Sequence, residues 1–366
     1  MTRGLCSVAL ALSLALGVVQ AQVNSEPRPA DKARLAPYSL TLDVIRAGQR
    51  FIAVGERGHV LLSSDGRSWE QAEFVPVQAT LTRVAFAGGR LWAVGHDSTI
   101  IHSRDLGRTW SLQHFEPDWE KPLLDVHFFD ANRGVAVGAY GLFMRTDDAG
   151  RNWEVLDMAD LVTSEAIDWE EAALAISGDE FDDFDDFDEF DDFDYMDDDD
   201  EFYDAERDFD RGCYEFMECH LNAFLNLGNG RQMIAAERGY GFRSTDGGET
   251  WESFRFPYPG SMFGLLGIGD GSILAFGLRG HVQYSSDFGD SWEILDSGLS
   301  STLKGGAIDP QGRPLMVGAG AARLRFDPVS RRFDLQEDRL GGAFAGVTFD
   351  DEGLMIRAGD GGMTHE

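Results

Sequence analysis

Ser244-Thr245-Asp246-Gly247-Gly248-Glu249-Thr250-Trp251 is one of five copies of a short pattern, and the spacing of those copies decides the fold. The others are Ser63-Ser64-Asp65-Gly66-Arg67-Ser68-Trp69, Ser103-Arg104-Asp105-Leu106-Gly107-Arg108-Thr109-Trp110, Thr146-Asp147-Asp148-Ala149-Gly150-Arg151-Asn152-Trp153 and Ser285-Ser286-Asp287-Phe288-Gly289-Asp290-Ser291-Trp292. The shared form is Ser/Thr-x-Asp-x-Gly-x-Ser/Thr/Asn-Trp, with the first copy one residue short. In such a segment the hydroxyl and carboxylate can bond the amides of their own tight turn. The glycine admits a positive φ where a Cβ would clash, and the tryptophan opens a strand and buries its ring between neighbouring sheets. Asp65, Asp105, Asp148, Asp246 and Asp287, with Trp69, Trp110, Trp153, Trp251 and Trp292, are therefore read as structural residues of a turn joining two antiparallel strands. A calcium loop would need more oxygen ligands than one such turn supplies.

A second pattern precedes each copy. Phe51-Ile-Ala-Val-Gly55-Glu56-Arg57-Gly58-His59-Val, Leu91-Trp-Ala-Val-Gly95, Gly134-Val-Ala-Val-Gly138, Met233-Ile-Ala-Ala-Glu237-Arg238-Gly239 and Ile273-Leu-Ala-Phe-Gly277-Leu278-Arg279-Gly280-His281-Val each read as strand, Gly-rich turn, strand. With a strand before it and the tryptophan strand after it, each unit has four strands, the composition of one propeller blade.

The tryptophans fall 41 residues apart (69 to 110), then 43 (110 to 153), and again 41 (251 to 292). One further period reaches Phe333 in a degenerate sixth unit, with Leu315-Met-Val-Gly318 upstream. A partial seventh unit follows, with Gly346-Val-Thr-Phe and Leu354-Met-Ile-Arg. Residues 30–37 are expected to supply its last strand and close the ring, which removes exposed sheet edges. The interval from Trp153 to Trp251 is 98 residues, an excess of about 57 over one period. Setting that excess and an N-terminal leader aside leaves about 41 residues for each of seven blades. The predicted fold is all-β, a seven-bladed β-propeller of four-stranded blades carrying one acidic insertion. Residues 1–21 are a signal peptide, 22–37 close the last blade, 38–157 form blades 1–3, 158–217 are the insertion, and 218–366 form blades 4–7.

Arg3, the apolar run Val8 to Val19 and the small-residue site Val19-Gln20-Ala21 read as a secretory signal, which predicts a periplasmic or secreted protein. No later stretch approaches the ~20 apolar residues of a spanning helix. In an oxidising compartment Cys213 and Cys219 can close a small loop or stand as two thiols. Only His220 lies near them, so no metal site is assigned, and no cofactor motif is present. The net charge of −33 excludes the basic footprint of nucleic-acid binding.

That charge is local. Residues 179 to 211 hold 20 acidic and 2 basic residues. Phe181, Phe184, Phe187, Phe190 and Phe193 recur there every third residue between carboxylates. Helix is predicted only before this tract, over 165–176, with Ser164 as its N-cap. A period of three fits neither sheet nor α-helix, and like charges repel, so the tract is expected to be disordered. It reads either as a tolerated acidic loop or as a partner-binding segment with aromatic anchors and steering carboxylates.

The Asp-x-Gly-x-Ser/Thr-Trp segment is the Asp box. Paired with the Gly-x-Arg-Gly turn at Arg57, Arg238 and Arg279, it resembles the photosystem II assembly and stability factor family, and more closely that family's non-photosynthetic bacterial relatives. The resemblance spans residues 38 to 366 apart from the insertion. It implies a non-catalytic propeller that helps assemble or stabilise a membrane-protein complex, and the bacterial relatives suggest an RND-type exporter as the partner; the propeller itself is expected to be monomeric. Arg57, His59, His96, Tyr140, Arg238, Arg279 and His281 all fall at or just after the same turn of their blades, which makes them candidate partner-binding residues, although polar residues there also suit a solvated rim. The alternative is a carbohydrate-binding protein or a sialidase-like glycoside hydrolase, since sialidases share the Asp box. A hydrolase needs an arginine cluster, a Tyr nucleophile and a carboxylic acid/base. The early Arg-Ile-Pro segment of such enzymes is missing, its nearest imitation being Arg255-Phe-Pro257. The expectation is a binding module and not an enzyme.

Overall fold

Apolar runs punctuated by Gly-rich turns become seven antiparallel sheets in a computed structural model that describes residues 26–163, 219–338 and 340–366. In the first six sheets four strands follow one another in chain order, and the seventh has three. Blade 1 is typical: Thr41–Ala47 innermost, then Arg50–Gly55, Val60–Ser63 and Glu70–Gln71 at the outer edge. The innermost strands of the other blades are Leu81–Ala87, Leu123–Phe128, Leu221–Gly228, Met262–Gly267, Leu303–Ile308 and Phe344–Phe349. The second strand of every blade is almost wholly buried, because it is sheathed by neighbouring blades on both faces; Phe51 to Gly55 and Ile273 to Gly277 are buried without interruption. Such strands read as continuous apolar runs and show no alternation.

The core lies in the seams between blades. Trp110 of blade 2 packs with Ile52 and Leu62 of blade 1, Trp153 with Trp92 of blade 2, and Trp251 with Phe143 of blade 3. Trp292 stacks on Phe254 of blade 4, and Trp69 meets Leu354 and Ile356 of blade 7. Phe333 stands in blade 6 opposite Phe326 across its outer pair of strands. Each Asp-box ring thus fastens its own blade to the preceding one, and Trp69 does this across the closure of the ring.

One hydrogen bond recurs in all seven blades. The residue that follows the second strand donates to the carbonyl just before the first: Glu56 to Leu40, His96 to Thr80, Ala139 to Pro122, Glu237 to His220, Leu278 to Ser261, Ala319 to Thr302 and Asp360 to Ala343, at 2.9–3.2 Å. The strand ends so close to that carbonyl that a Cβ on Gly55 would lie 2.1 Å from Leu40 O, and one on Gly277 2.1 Å from Ser261 O. This close approach, and no special φ, is why glycine closes the second strand in six of the blades, while blade 4 accommodates Ala236 with its hydrogen bond at 3.2 Å.

Closure of the ring differs from the sequence expectation. Residues 30–37 add no strand to blade 7. Ala30 N donates to Val75 O at 3.0 Å and Ala33 N to Gln71 Oε1 at 3.0 Å, so this stretch lies along the outer edge of blade 1. It then tightens into a single 3-10 turn, Ala36–Tyr38. Proline offers no amide to a ladder and is tolerated in the first turn of a helix. Pro37 O accepts the Met363 amide at 2.9 Å, and a Cβ on Gly362 would lie 2.2 Å from that same oxygen. Val77 and Leu299, each likewise four residues before a first strand, crowd Gly58 and Gly280 in the same way. The N-terminal segment therefore closes the ring as an inter-blade linker, docked on the turn of blade 7.

The insertion is spliced into another such linker. Asp157 caps a one-turn helix, Met158–Leu161, by accepting the Ala159 amide at 2.9 Å, and Met158 is buried. Leu161 O accepts the Trp251 amide and Thr163 N donates to Trp251 O, both at 2.9 Å, so residues 158–163 belong to the seam between blades 3 and 4 and not to the insertion. The chain re-enters at Cys219, whose carbonyl accepts Gly141 N at 2.8 Å, as Ala79 O accepts Gly58 N at 3.0 Å two residues before blade 2. Both stubs keep ordinary linker geometry. The signal peptide expected over 1–21, the helix expected over 165–176, the acidic tract with Phe181, Phe184, Phe187, Phe190 and Phe193, and Cys213 lie outside the described residues. Cys219 is buried and is half of a disulfide.

Candidate functional face and axis

The Asp boxes occupy one end of the propeller, and the Ser or Thr and the Asp of each box bond within their own turn. The Ser or Thr hydroxyl that opens each box accepts a glycine amide: Gly66 to Ser63, Gly107 to Ser103, Gly150 to Thr146, Gly248 to Ser244 and Gly289 to Ser285, at 2.7–2.9 Å. The carboxylate then takes the far side of the turn. Asp65 Oδ1 accepts the Ser68 and Arg67 amides at 2.8 and 2.9 Å, and Asp287 accepts the Ser291 hydroxyl and amide. These donors stabilise the ionised form. They draw Asp65 down to about 2, chiefly through Ser68 N, and Asp287 to about 2, chiefly through the Ser291 hydroxyl. Carboxylates this committed to their own turn are poor proton-transfer groups near neutral pH. Among the described residues no cluster of three or more His, Cys, Asp or Glu could hold a metal ion.

The candidate partner-binding residues sit at the other end, because the third strand of each blade separates them from its Asp box. Arg57, Tyr140, Arg238 and Arg279 are exposed and occupy one equivalent position, with φ of 55°, 53°, 57° and 53°. Each is followed by a glycine at positive φ, so the hairpin turns through two successive left-handed residues. A side chain at such a position carries a backbone cost of roughly 1 kcal/mol. Blade 2 places Asp97 at this point, with exposed His96 beside it. Arg238 and Arg279 come from adjacent blades, whereas Arg57 belongs to blade 1, three blades away in either direction round the ring.

Two of the predicted residues do different work. His59 is buried with only 4% exposure, and its Nδ1 lies 3.0 Å from Ser39 Oγ. Burial lowers its pKa, as expected of a ring packed against the linker into blade 1. His281 stacks on Tyr258 with centroids 3.5 Å apart, and burial followed by the neighbouring Arg279 lowers its pKa as well. Tyr140 meets the edge of His220, so the chain re-enters blade 4 on this face.

The axis holds a cluster that sequence reasoning missed. A central cavity of about 320 Å³ is lined by the innermost strands of all seven blades. On one side Arg83 lies between two carboxylates, 3.7 Å from Asp43 and 3.3 Å from Asp125. Asp43 Oδ2 accepts Val84 N of blade 2 at 3.0 Å, and Asp125 Oδ2 accepts Phe224 N of blade 4 at 2.8 Å. Burial pushes the Asp43 carboxyl above its ordinary value against the pull of Arg83. The opposite wall is small and apolar, with Gly264, Gly305 and Gly306, and Lys304 beside them lies over the Phe263 ring at 4.9 Å. The available signal was positional. Asp43, Arg83 and Asp125 each stand third in the first strand, at intervals of 40 and 42 residues, but nothing local distinguishes them from solvated charges.

Fold and sites together define a seven-bladed Asp-box β-propeller. A family model described as BNR/Asp-box repeat matches residues 242–253. No curated protein matches the sequence. Among solved structures the chain is similar to one described as YCF48 bound to D1 peptide, at 15% identity and a TM-score of 0.61, covering 92% of this chain and 95% of that one. It is equally similar to YCF48 from Cyanidioschyzon merolae, at 16% identity and TM-score 0.61, over 92% and 97% of the two chains. The WD40 propeller domain of Doa1 reaches the same TM-score of 0.61 at 11% identity, over 93% and 96%. At these identities the likeness is one of fold.

Proposed function

We propose that this chain is a non-catalytic, exported binding propeller that captures an exposed segment of a membrane protein and serves as an accessory or assembly factor for its complex. The observation that carries the reading is the placement of Arg57, Arg238 and Arg279 at equivalent, exposed, left-handed turn tips of one face. Strained positions that keep long charged side chains where glycine would cost less are typical of binding surfaces. The opposite face spends its carboxylates on its own turns, which argues against hydrolysis there. A solved propeller of this fold holds a D1 peptide, which supports a polypeptide ligand for this one. The leader-like start of the sequence supports a periplasmic or secreted setting, and an RND-type exporter is the finer assignment of the partner.

Affinity capture from detergent-solubilised envelope, read by mass spectrometry, tests this. The wild type is compared with a chain in which Arg57, Arg238 and Arg279 are all changed to Gly, which relieves the left-handed backbone and removes the charges. Enrichment of a membrane protein by the wild type, lost in the triple variant at unchanged thermal stability, is the expected result. Equal enrichment by both moves the binding site off this face. Hydrolysis of a fluorogenic sialoside by the purified protein would overturn the non-catalytic assignment.

A further inference from the structure

The seam between blades 3 and 4 is open at the Asp-box end, and the cause is visible residue by residue. The fourth residue of the full-length box is left-handed in every copy. In blades 2 and 5 it is Leu106 and Phe288, at φ of 56° and 64°, and Phe288 packs into the seam with blade 4. In blade 4 it is Gly247, and a Cβ there would meet nothing within 4 Å. The space lies within a cleft of about 750 Å³, the size of a small-ligand site.

The cleft wall also carries a substitution within the repeat. Four residues before the end of the second strand stand Phe51 in blade 1, Leu91 in blade 2, Ile273 in blade 5 and Met355 in blade 7, all apolar. Blade 4 has Gln232, which is 4% exposed, lines the cleft, and has a buried Oε1 with no hydrogen-bond partner. A buried amide oxygen without a donor costs about 1–3 kcal/mol, so a fold that could place a Leu here keeps the amide at a loss unless a ligand satisfies it.

The surrounding chemistry selects that ligand. Charges of both signs line the cleft, and Arg145 reaches Glu249 across the seam at 3.2 Å and Glu154 at 3.7 Å. The lining as a whole, Arg133 and Arg145 against Asp147, Glu154 and Glu249, keeps a small negative excess that disfavours an anion. The half-buried ring of Phe129 adds an apolar face. An acceptor wanting an O–H or N–H donor, polar walls that disfavour an anion and a ring edge fit a neutral, hydroxyl-rich molecule.

We infer that the cleft between blades 3 and 4 is a binding site for a short neutral saccharide, with Gln232 Oε1 accepting a hydrogen bond from a sugar hydroxyl or acetamido group. This site lies on the opposite face from the arginine turns, and it stands whether or not those turns capture a protein.

Microcalorimetry on the purified chain with two probes, maltotriose and the N-acetylglucosamine trimer chitotriose, tests the site. Binding of at least one is expected, and the pair tells a hydroxyl donor from an acetamido donor. Gln232→Leu restores the residue type of blades 1, 2 and 5, so it is expected to keep or raise Tm while weakening the sugar about tenfold or more. Gly247→Phe copies the Phe288 arrangement and is expected to abolish binding by filling the cleft. Simultaneous Arg57, Arg238 and Arg279→Gly leaves sugar binding intact, which separates this site from the protein-capture reading. No heat from either trisaccharide up to about 10 mM, or affinity unchanged in both cleft variants, overturns the inference. The cleft would then be a water-filled gap.

Discussion

Asp125 of blade 3 accepts the backbone amide of Phe224 in blade 4 at 2.8 Å, so a side chain at the axis ties two blades that meet through no shared strand. The same carboxylate lies 3.3 Å from Arg83, which also faces Asp43. Asp125→Ala removes the tie and strands a buried guanidinium with one partner. A loss of about 3–5 kcal/mol is expected from urea melts, with Asp125→Asn losing less because its amide oxygen can still accept from Phe224. A midpoint unchanged in the Ala variant would mean that the seams alone hold the ring.

Gly55 and Gly48 separate close approach from backbone conformation. Alanine at Gly55 places a Cβ 2.1 Å from Leu40 O, whereas at Gly48 the space is open but φ is +64°. Gly55→Ala is expected to cost about 3 kcal/mol or more, through displacement of the linker into blade 1. Gly48→Ala is expected to cost about 1 kcal/mol. Thermal melts of the two variants side by side check the order.

The Asp boxes make stability depend on acid. Asp65 and Asp287 titrate near 2 when folded, drawn down by Ser68 N and the Ser291 hydroxyl respectively, against about 4 in an unfolded chain. A depressed carboxylate pKa contributes stability that is present above the unfolded value and lost as pH falls toward the folded one. Asp43, raised by burial, has the opposite sign, its share fading as pH rises. The turns outnumber it, so Tm is expected to fall between pH 4 and pH 2, and Asp287→Asn should flatten part of that fall. A Tm independent of pH across this window would count against the turn hydrogen bonds.

Truncation separates the two roles of the N-terminal segment. A chain beginning at residue 35 loses the contacts along blade 1, including Ala30 to Val75, but keeps Pro37 on Met363. A chain beginning at residue 39 also loses the ring-closing linker. Limited trypsin digestion is expected to leave the first variant close to wild type and to open the second first within blade 7, at Arg357. Equal resistance of both would show that Trp69 and its seam close the ring unaided.

The sequence by itself determined the blade unit, its count and the location of the extra residues. Asp65 and Ser63, or Asp287 and Ser285, lie within a few residues of each other, and the bonds they make are local, so the turn is written where it forms. The 41-residue period then follows from the length of four strands and their turns. Tertiary structure alone decided the rest. Pro37 meets Met363 only once the ring has closed, and so a segment that reads as a possible strand becomes a linker. His59 and His281 share a turn with Arg57 and Arg279, yet pack inward against Ser39 and Tyr258, because the residue after the left-handed pair re-enters a sheet. Arg83 finds Asp43 and Asp125 because seven inner strands converge on one axis, and Gly247 opens a cleft because no neighbour reaches into its place. Each of these depends on what stands opposite a residue across a seam or an axis, which its place in the chain does not specify.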